Sequence, residues 1–110
     1  MWKLSIGGKK KIVLNVKKTG AFSKGIGLMF HGKETDNLLF EFKQDVEISI
    51  HSFFVFFPFL ALWLDSKNNI IERKIVKPFC LSAKPKKPFR KLVEIPFNEG
   101  NRKIIRELMK

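Results

Sequence analysis

The chain has 110 residues, 45% hydrophobic and 29% charged, with 22 Lys and Arg against 10 Asp and Glu for a net charge of +12. These totals describe a single globular domain over residues 1–110 with room for one core, and exclude disordered, collagen-like and multidomain chains. The one cysteine, Cys80, excludes a disulfide-stapled scaffold and a zinc ribbon, and points to a reducing, cytoplasmic setting.

Apolar residues recur mostly with a period of two, so strands dominate. Met1–Leu4 runs into Ser5, Gly7, Gly8 and lysines, which is no apolar leader segment. Trp2, Leu4 and Ile6 form one apolar face, and Ile12, Leu14 and Val16 another. Gly7-Gly8-Lys9 between them reads as a three-residue hairpin loop, which sets Leu4 opposite Ile12 and Trp2 opposite Leu14. The Gly-rich stretch Thr19–Met29 suits one or two helical turns capped by Thr19.

Leu38–Phe42 places Phe40 and Phe42 on one face, with Glu41 and Lys43 opposite, and Val46, Ile48 and Ile50 alternate with Glu47, Ser49 and His51. Phe53–Leu64 is the longest apolar run, twelve residues broken by Pro58. A membrane helix needs about twenty apolar residues, so this run predicts a turn and a strand, and no membrane partner. Phe59–Leu64 is apolar on both faces, as in a strand covered on both sides. Asp65–Asn69 is turn chemistry, and Ile70–Val76 returns as the partner strand. Lys77–Pro88 is loop, Phe89, Val93 and Ile95 resume a strand, and Asn98 caps a final helix. Ile104, Ile105, Leu108 and Met109 form that helix's apolar stripe.

Charge is segregated along the chain. Residues 1–33 carry a net +8, residues 34–65 a net −5 and residues 66–110 a net +9. Arg73–Lys91 is the densest stretch, with eight basic residues and no acid. Within it Lys84, Lys86, Lys87, Arg90 and Lys91 surround Pro85 and Pro88. Prolines hold such a segment extended, so its cations spread along a path that can follow a phosphate backbone. The bland reading is a solvated, solubilising loop. No aromatic reader motif for nucleic acid accompanies it, so any such binding is expected to be insensitive to sequence.

Other motifs are weaker. Gly27–Lys33 approaches a phosphate-cradling loop, but Glu34 stands where Ser or Thr would hold magnesium, and Leu28, Met29 and Phe30 are bulky. His31, His51 and Cys80 are scattered singly, without metal-ligand spacing; His51 reads as a surface residue and Cys80 as a small buried one. Asp65 lies in a turn, and Glu41 and Glu47 sit on polar strand faces, so no catalytic residue, cofactor site or metal site is assigned.

Several stretches together carry a family resemblance. They are Gly27-Leu-Met-Phe30 closing Ala21–Phe30, then Leu38-Leu-Phe-Glu-Phe42, then Ile50 through Pro58 to Asp65 with Pro78, then Phe89-Arg-Lys-Leu-Val-Glu-Ile-Pro96. Their order resembles the archaeal and bacterial family catalogued as domain of unknown function 192, from about Val13 to Arg106. The resemblance implies a compact, mainly β, barrel-like domain with short helices, and no established reaction or cofactor. His31, Phe54-Val55 and Leu60 stand where members usually carry Arg, Asn-Thr and Asp, so polar positions of the family are apolar or altered here.

The expectation is therefore a mainly β, single barrel-like or sandwich domain with one or two short helices, one of them C-terminal. Its expected role is non-enzymatic binding of nucleic acid or another polyanion through the basic segment. A small-ligand-binding or hydrolytic enzyme with a cleft near the Phe53–Leu60 turn, and a protein–protein adaptor, are the alternatives.

Overall fold

In the computed structural model the described residues are 2–7, 11–18, 32–52, 55–80 and 82–110. Six strands, β1 (Trp2–Ile6), β2 (Ile12–Lys18), β3 (Leu38–Val46), β4 (Phe59–Leu64), β5 (Ile70–Val76) and β6 (Phe89–Pro96), form one sheet in the order β1-β2-β3-β6-β4-β5. A 3₁₀ turn, Glu99–Asn101, leads into helix α1, Arg102–Leu108. Every neighbouring pair is antiparallel except β2 and β3. The sheet curls into a half-barrel, and its far edges approach where Gly7 N–H donates to the Asn68 carbonyl in the β4–β5 turn, at 3.2 Å. The radius of gyration is 12.7 Å, against about 13 Å for one compact domain of this length.

Period two explains the two cores. On β4, Leu60, Leu62 and Leu64 face one side and Phe59, Ala61 and Trp63 the other, all fully buried. The concave side is aliphatic: Leu4, Ile6, Leu14 and Val16 of the first hairpin meet Val93 and Ile95, and α1 closes it with Leu108. The convex side is aromatic: Phe40, Trp63 and Phe89 are covered by irregular chain carrying Ile50, Val55, Phe57 and Ala83.

Some local expectations change. Trp2 pairs with Val16, Leu4 with Leu14 and Ile6 with Ile12, so the hairpin register is two residues longer than a Gly7–Lys9 loop allows. Gly7 adopts φ 102°, which favours glycine. Because the shift is even, every side chain keeps its face. β3 runs unbroken to Val46 through an irregular register, and Ile50 makes only a bridge to Ala83. Asn98 caps the 3₁₀ turn, its Oδ1 accepting from Asn101 N–H at 2.8 Å. Met109 is exposed and lies past the end of α1, outside the apolar stripe. The expected Thr19 turns, Leu28, Met29, Phe30 and His31 lie outside the described residues.

Candidate functional site

The basic segment occupies the β5–β6 connection, and buried polar chemistry fixes its path. Ile50 and Ala83 exchange both backbone hydrogen bonds at 2.8 Å, and Ser52 N–H donates to the Cys80 carbonyl at 2.9 Å. Ser52 is fully buried, and its hydroxyl donates to the Lys77 carbonyl at 2.6 Å while accepting from Cys80 N–H. Its own carbonyl accepts from Phe79 N–H at 3.0 Å. The connection then returns along β5, where Lys86 N–H donates to the Glu72 carboxylate at 3.1 Å.

This geometry divides the five expected anion-binding residues. Arg90 donates to Asp45 at 3.0 Å. Lys91 Nζ donates to Asn68 Oδ1 at 2.6 Å and lies 3.8 Å from Glu41, with a largely buried side chain. Both cations have partners far away in sequence, so a phosphate would meet Arg90 and Lys91 in competition with those partners. Lys84, Lys86 and Lys87 are exposed, and their ammonium groups have no partner among the described residues.

Two further lysines join them. Lys74, on the β5 edge strand, and Lys77, just beyond it, are exposed and equally unpartnered among the described residues. Sequence reasoning had them inside the dense Arg73–Lys91 stretch but not in the chosen set. Val76 to Glu72 spans about 13 Å of strand at ~3.3 Å per residue. The returning connection thus lays Lys84–Lys87 beside the stretch of β5 that carries Lys74.

Phe56 and Phe79 border this stripe. Phe56 is 63% exposed and Phe79 49%, and their rings meet edge-on with centroids 5.4 Å apart. Phe79 has φ 59°, in the left-handed region, which costs a bulky residue about 1–3 kcal/mol.

The remaining candidates are placed as follows. Cys80 is half-buried against the aromatic core, and His51 is half-buried. Among the described residues no three of His, Cys, Asp and Glu come together. Gly32–Thr35 forms a turn, with Thr35 N–H donating to the Gly32 carbonyl at 3.1 Å. A polar cleft of about 300 Å³ lies between that turn and the start of α1, lined by Asn37, Asn98 and Asn101. Its amides satisfy one another: Asn101 Nδ2 donates to Asn37 Oδ1 and the Pro96 carbonyl, and Asn37 Nδ2 to the Asn15 carbonyl. That network ties loop, strand and helix together.

One residue escaped sequence reasoning altogether. Glu94 on β6 pairs with Leu38 and Ala61, points to the aromatic side and is 4% exposed. Burial alone pushes its carboxyl up to about 8. Trp63 Nε1, on the same side, is buried with no hydrogen-bond partner among the described residues. The expected cleft near the Phe53–Leu60 turn includes Phe53 and Phe54, which lie outside the described residues.

Two solved structures share the fold. A protein of unknown function from Novosphingobium aromaticivorans superposes with a TM-score of 0.69, covering 93% of this chain and 76% of that one, at 14% identity. A protein from Sinorhizobium meliloti described as "a putative transcription regulator" superposes with a TM-score of 0.73, covering 91% and 81%, at 15% identity. At such identities the likeness shows the fold alone. No protein-family model and no curated protein matches the chain. Among the described residues no helix is long and apolar enough to cross a membrane.

Proposed function

We propose that this protein is a non-enzymatic binding domain for polyanions, nucleic acid first among them. The observation that carries the reading is the stripe of exposed lysines Lys74, Lys77, Lys84, Lys86 and Lys87 along β5 and the connection after it, whose ammonium groups have no partner among the described residues. Partnered cations are already neutralised, whereas free ones release counterions when they meet phosphate. The description of one structural neighbour as a transcription regulator agrees with a nucleic-acid partner. The single thiol agrees with a cytoplasmic setting. Membership of domain of unknown function 192 is part of the same proposal and brings no reaction with it.

The test is an anisotropy titration over a range of salt with a labelled oligonucleotide. Five contacts give a log–log salt slope near −3.5 for a single strand and about −4.5 for a duplex. Changing all five lysines to Ser abolishes most of the affinity and flattens the slope. A variant with Arg90 and Lys91 changed to Ser keeps both nearly intact. Equal affinity of the native and five-Ser proteins, or no binding by either at low salt, sinks the proposal.

A further inference from the structure

The stripe ends on an arrangement that its charge does not explain. Phe79 adopts a left-handed backbone that Gly or Asn would occupy with less strain. Its ring adds little to the core, since about half of it faces solvent. The Ser52 hydrogen bonds to the 77–80 turn hold that conformation: Ser52 O accepts from Phe79 N–H, and Ser52 Oγ links the Lys77 carbonyl to Cys80 N–H. A buried serine thus fixes a strained backbone whose outcome is a large apolar ring presented at the surface. Phe56 stands edge-on to it and is still more exposed. Lys77 lies two residues from Phe79, and Lys74 precedes it on the adjoining strand.

Resting on the polyanion reading above, we propose that the Phe56–Phe79 pair is a stacking platform that makes the partner a single-stranded nucleic acid. Bases have apolar π-faces and phosphates carry the charge, so a strand presents both chemistries at short, regular spacing. A polyphosphate offers only charge, and a duplex keeps its base faces stacked inside. Aromatic rings beside free lysines complement only the unpaired strand. Stacking tolerates any base, which accords with the absence of a sequence-reading motif.

The experiment compares the native protein with a double variant, Phe56→Ser with Phe79→Asn. Asn tolerates the left-handed backbone, so the turn survives while both rings are lost. Circular dichroism and a thermal melt establish that the variant is folded, and Phe56→Ser alone serves if the double variant is not. The probes are oligothymidylate, an abasic oligonucleotide of equal length, inorganic polyphosphate, a duplex and anionic phosphatidylserine vesicles. The double variant is expected to lose at least about tenfold in affinity for oligothymidylate, with abasic and polyphosphate binding unchanged and the salt slope retained. A 2-aminopurine reporter should change its emission on binding native protein and not the variant. If the variant binds oligothymidylate as the native protein does, while the five-Ser variant does not, the platform is wrong and the polyanion reading stands. If the ring losses weaken vesicle binding and leave oligothymidylate binding intact, the occupant is a membrane surface and the proposal falls. If native protein binds none of the probes at low salt, both readings fall together.

Discussion

The two sides of the sheet are covered in different ways. The concave side is closed by α1 and the β1–β2 hairpin, elements that satisfy most of their own backbone hydrogen bonds, and its fully buried residues are aliphatic, with Phe97 packed at the margin. The convex side is covered by residues outside the regular strands, among them Ile50, Val55, Phe57, Cys80 and Ala83, which cannot do so. The Ser52 hydroxyl serves that cover by joining two stretches of loop, and Glu94 and Trp63 Nε1 lie beneath it on β6 and β4. The difference teaches where exposed chemistry arises. The hairpin leaves Trp2 and Val13 exposed on an unstrained strand pair, whereas the irregular cover presents Phe79 from a left-handed backbone, beside exposed Phe56 and lysines.

The largest effect should come from Glu94. Its carboxyl ordinarily titrates at 4.5, and burial raises it to about 8. Below the lower value both folded and unfolded chains are protonated, and this group's contribution to stability is complete. As pH rises from there the unfolded chain ionises first, so stability falls until the folded carboxyl also loses its proton near the upper value. At about 1.36 kcal/mol per unit the loss reaches at most roughly 5 kcal/mol. Urea unfolding at pH 5 and pH 9 should show it in the native protein and not in Glu94→Gln. Parallel pH profiles would mean that Glu94 is hydrated or paired.

On the concave side, Leu108→Ala should cost about 2–4 kcal/mol, since the side chain is fully buried against the half-barrel. Met109→Ala, one residue on and exposed, should change stability by no more than about 0.5 kcal/mol. Thermal melts decide, and similar losses in both would make the helix end differently packed. Ser52→Ala comes next. It leaves the part-buried Cys80 N–H and Lys77 carbonyl without the hydroxyl, at about 1–3 kcal/mol. Combined with Leu108→Ala the losses should add to within about 0.5 kcal/mol, because the two sites serve opposite sides. Strong coupling in that cycle would join the two covers into one cooperative unit.

What the sequence revealed followed from local chemistry. Phe59–Leu64 shows no polar face and is buried on both sides. Asp65–Asn69 makes the expected turn, and Asn98 caps where expected, though onto a 3₁₀ turn. Even the hairpin misreading kept its faces. What stayed hidden depended on distant partners. Arg90 and Asp45 are 45 residues apart, and Lys91 and Asn68 are 23 apart. Nothing near Arg90 or Lys91 distinguishes them from free cations. Glu94 lies between Val93 and Ile95 and reads as the wet face of an alternating strand. Its place on β6 between β3 and β4, under the chain that covers the aromatic side, buries it. Phe79 reads as one Phe among twelve, and its backbone is set by a serine 27 positions away.

The smallest effect lies at Asp65, and its pH dependence runs opposite to that of Glu94. Asp65 Oδ1 accepts from Lys67 N–H at 2.8 Å and Asn69 N–H at 2.9 Å, and Oδ2 from Asn69 Nδ2 at 3.2 Å. Slight burial pushes the carboxyl up, but the hydrogen bonds from Asn69 and Lys67 and the Lys67 charge together carry it below its ordinary 3.8. A lowered carboxyl stabilises the fold above its unfolded value and loses that contribution as pH falls through the folded one. These bonds brace the turn in which Asn68 takes φ 66°, and whose carbonyl receives Gly7 N–H across the open edge of the half-barrel. Because the carboxylate is near solvent, Asp65→Ala should cost only about 0.5–1 kcal/mol at neutral pH. Asp65→Asn keeps one acceptor and removes the titration. The gap in melting temperature between native protein and Asp65→Asn should narrow between pH 6 and pH 2.5, whereas the Glu94-dependent loss builds as pH rises from 4.5 to about 8. A gap that stays constant down to pH 2.5 would show that the turn is held by its backbone alone, and that the half-barrel edge gains nothing from the charge.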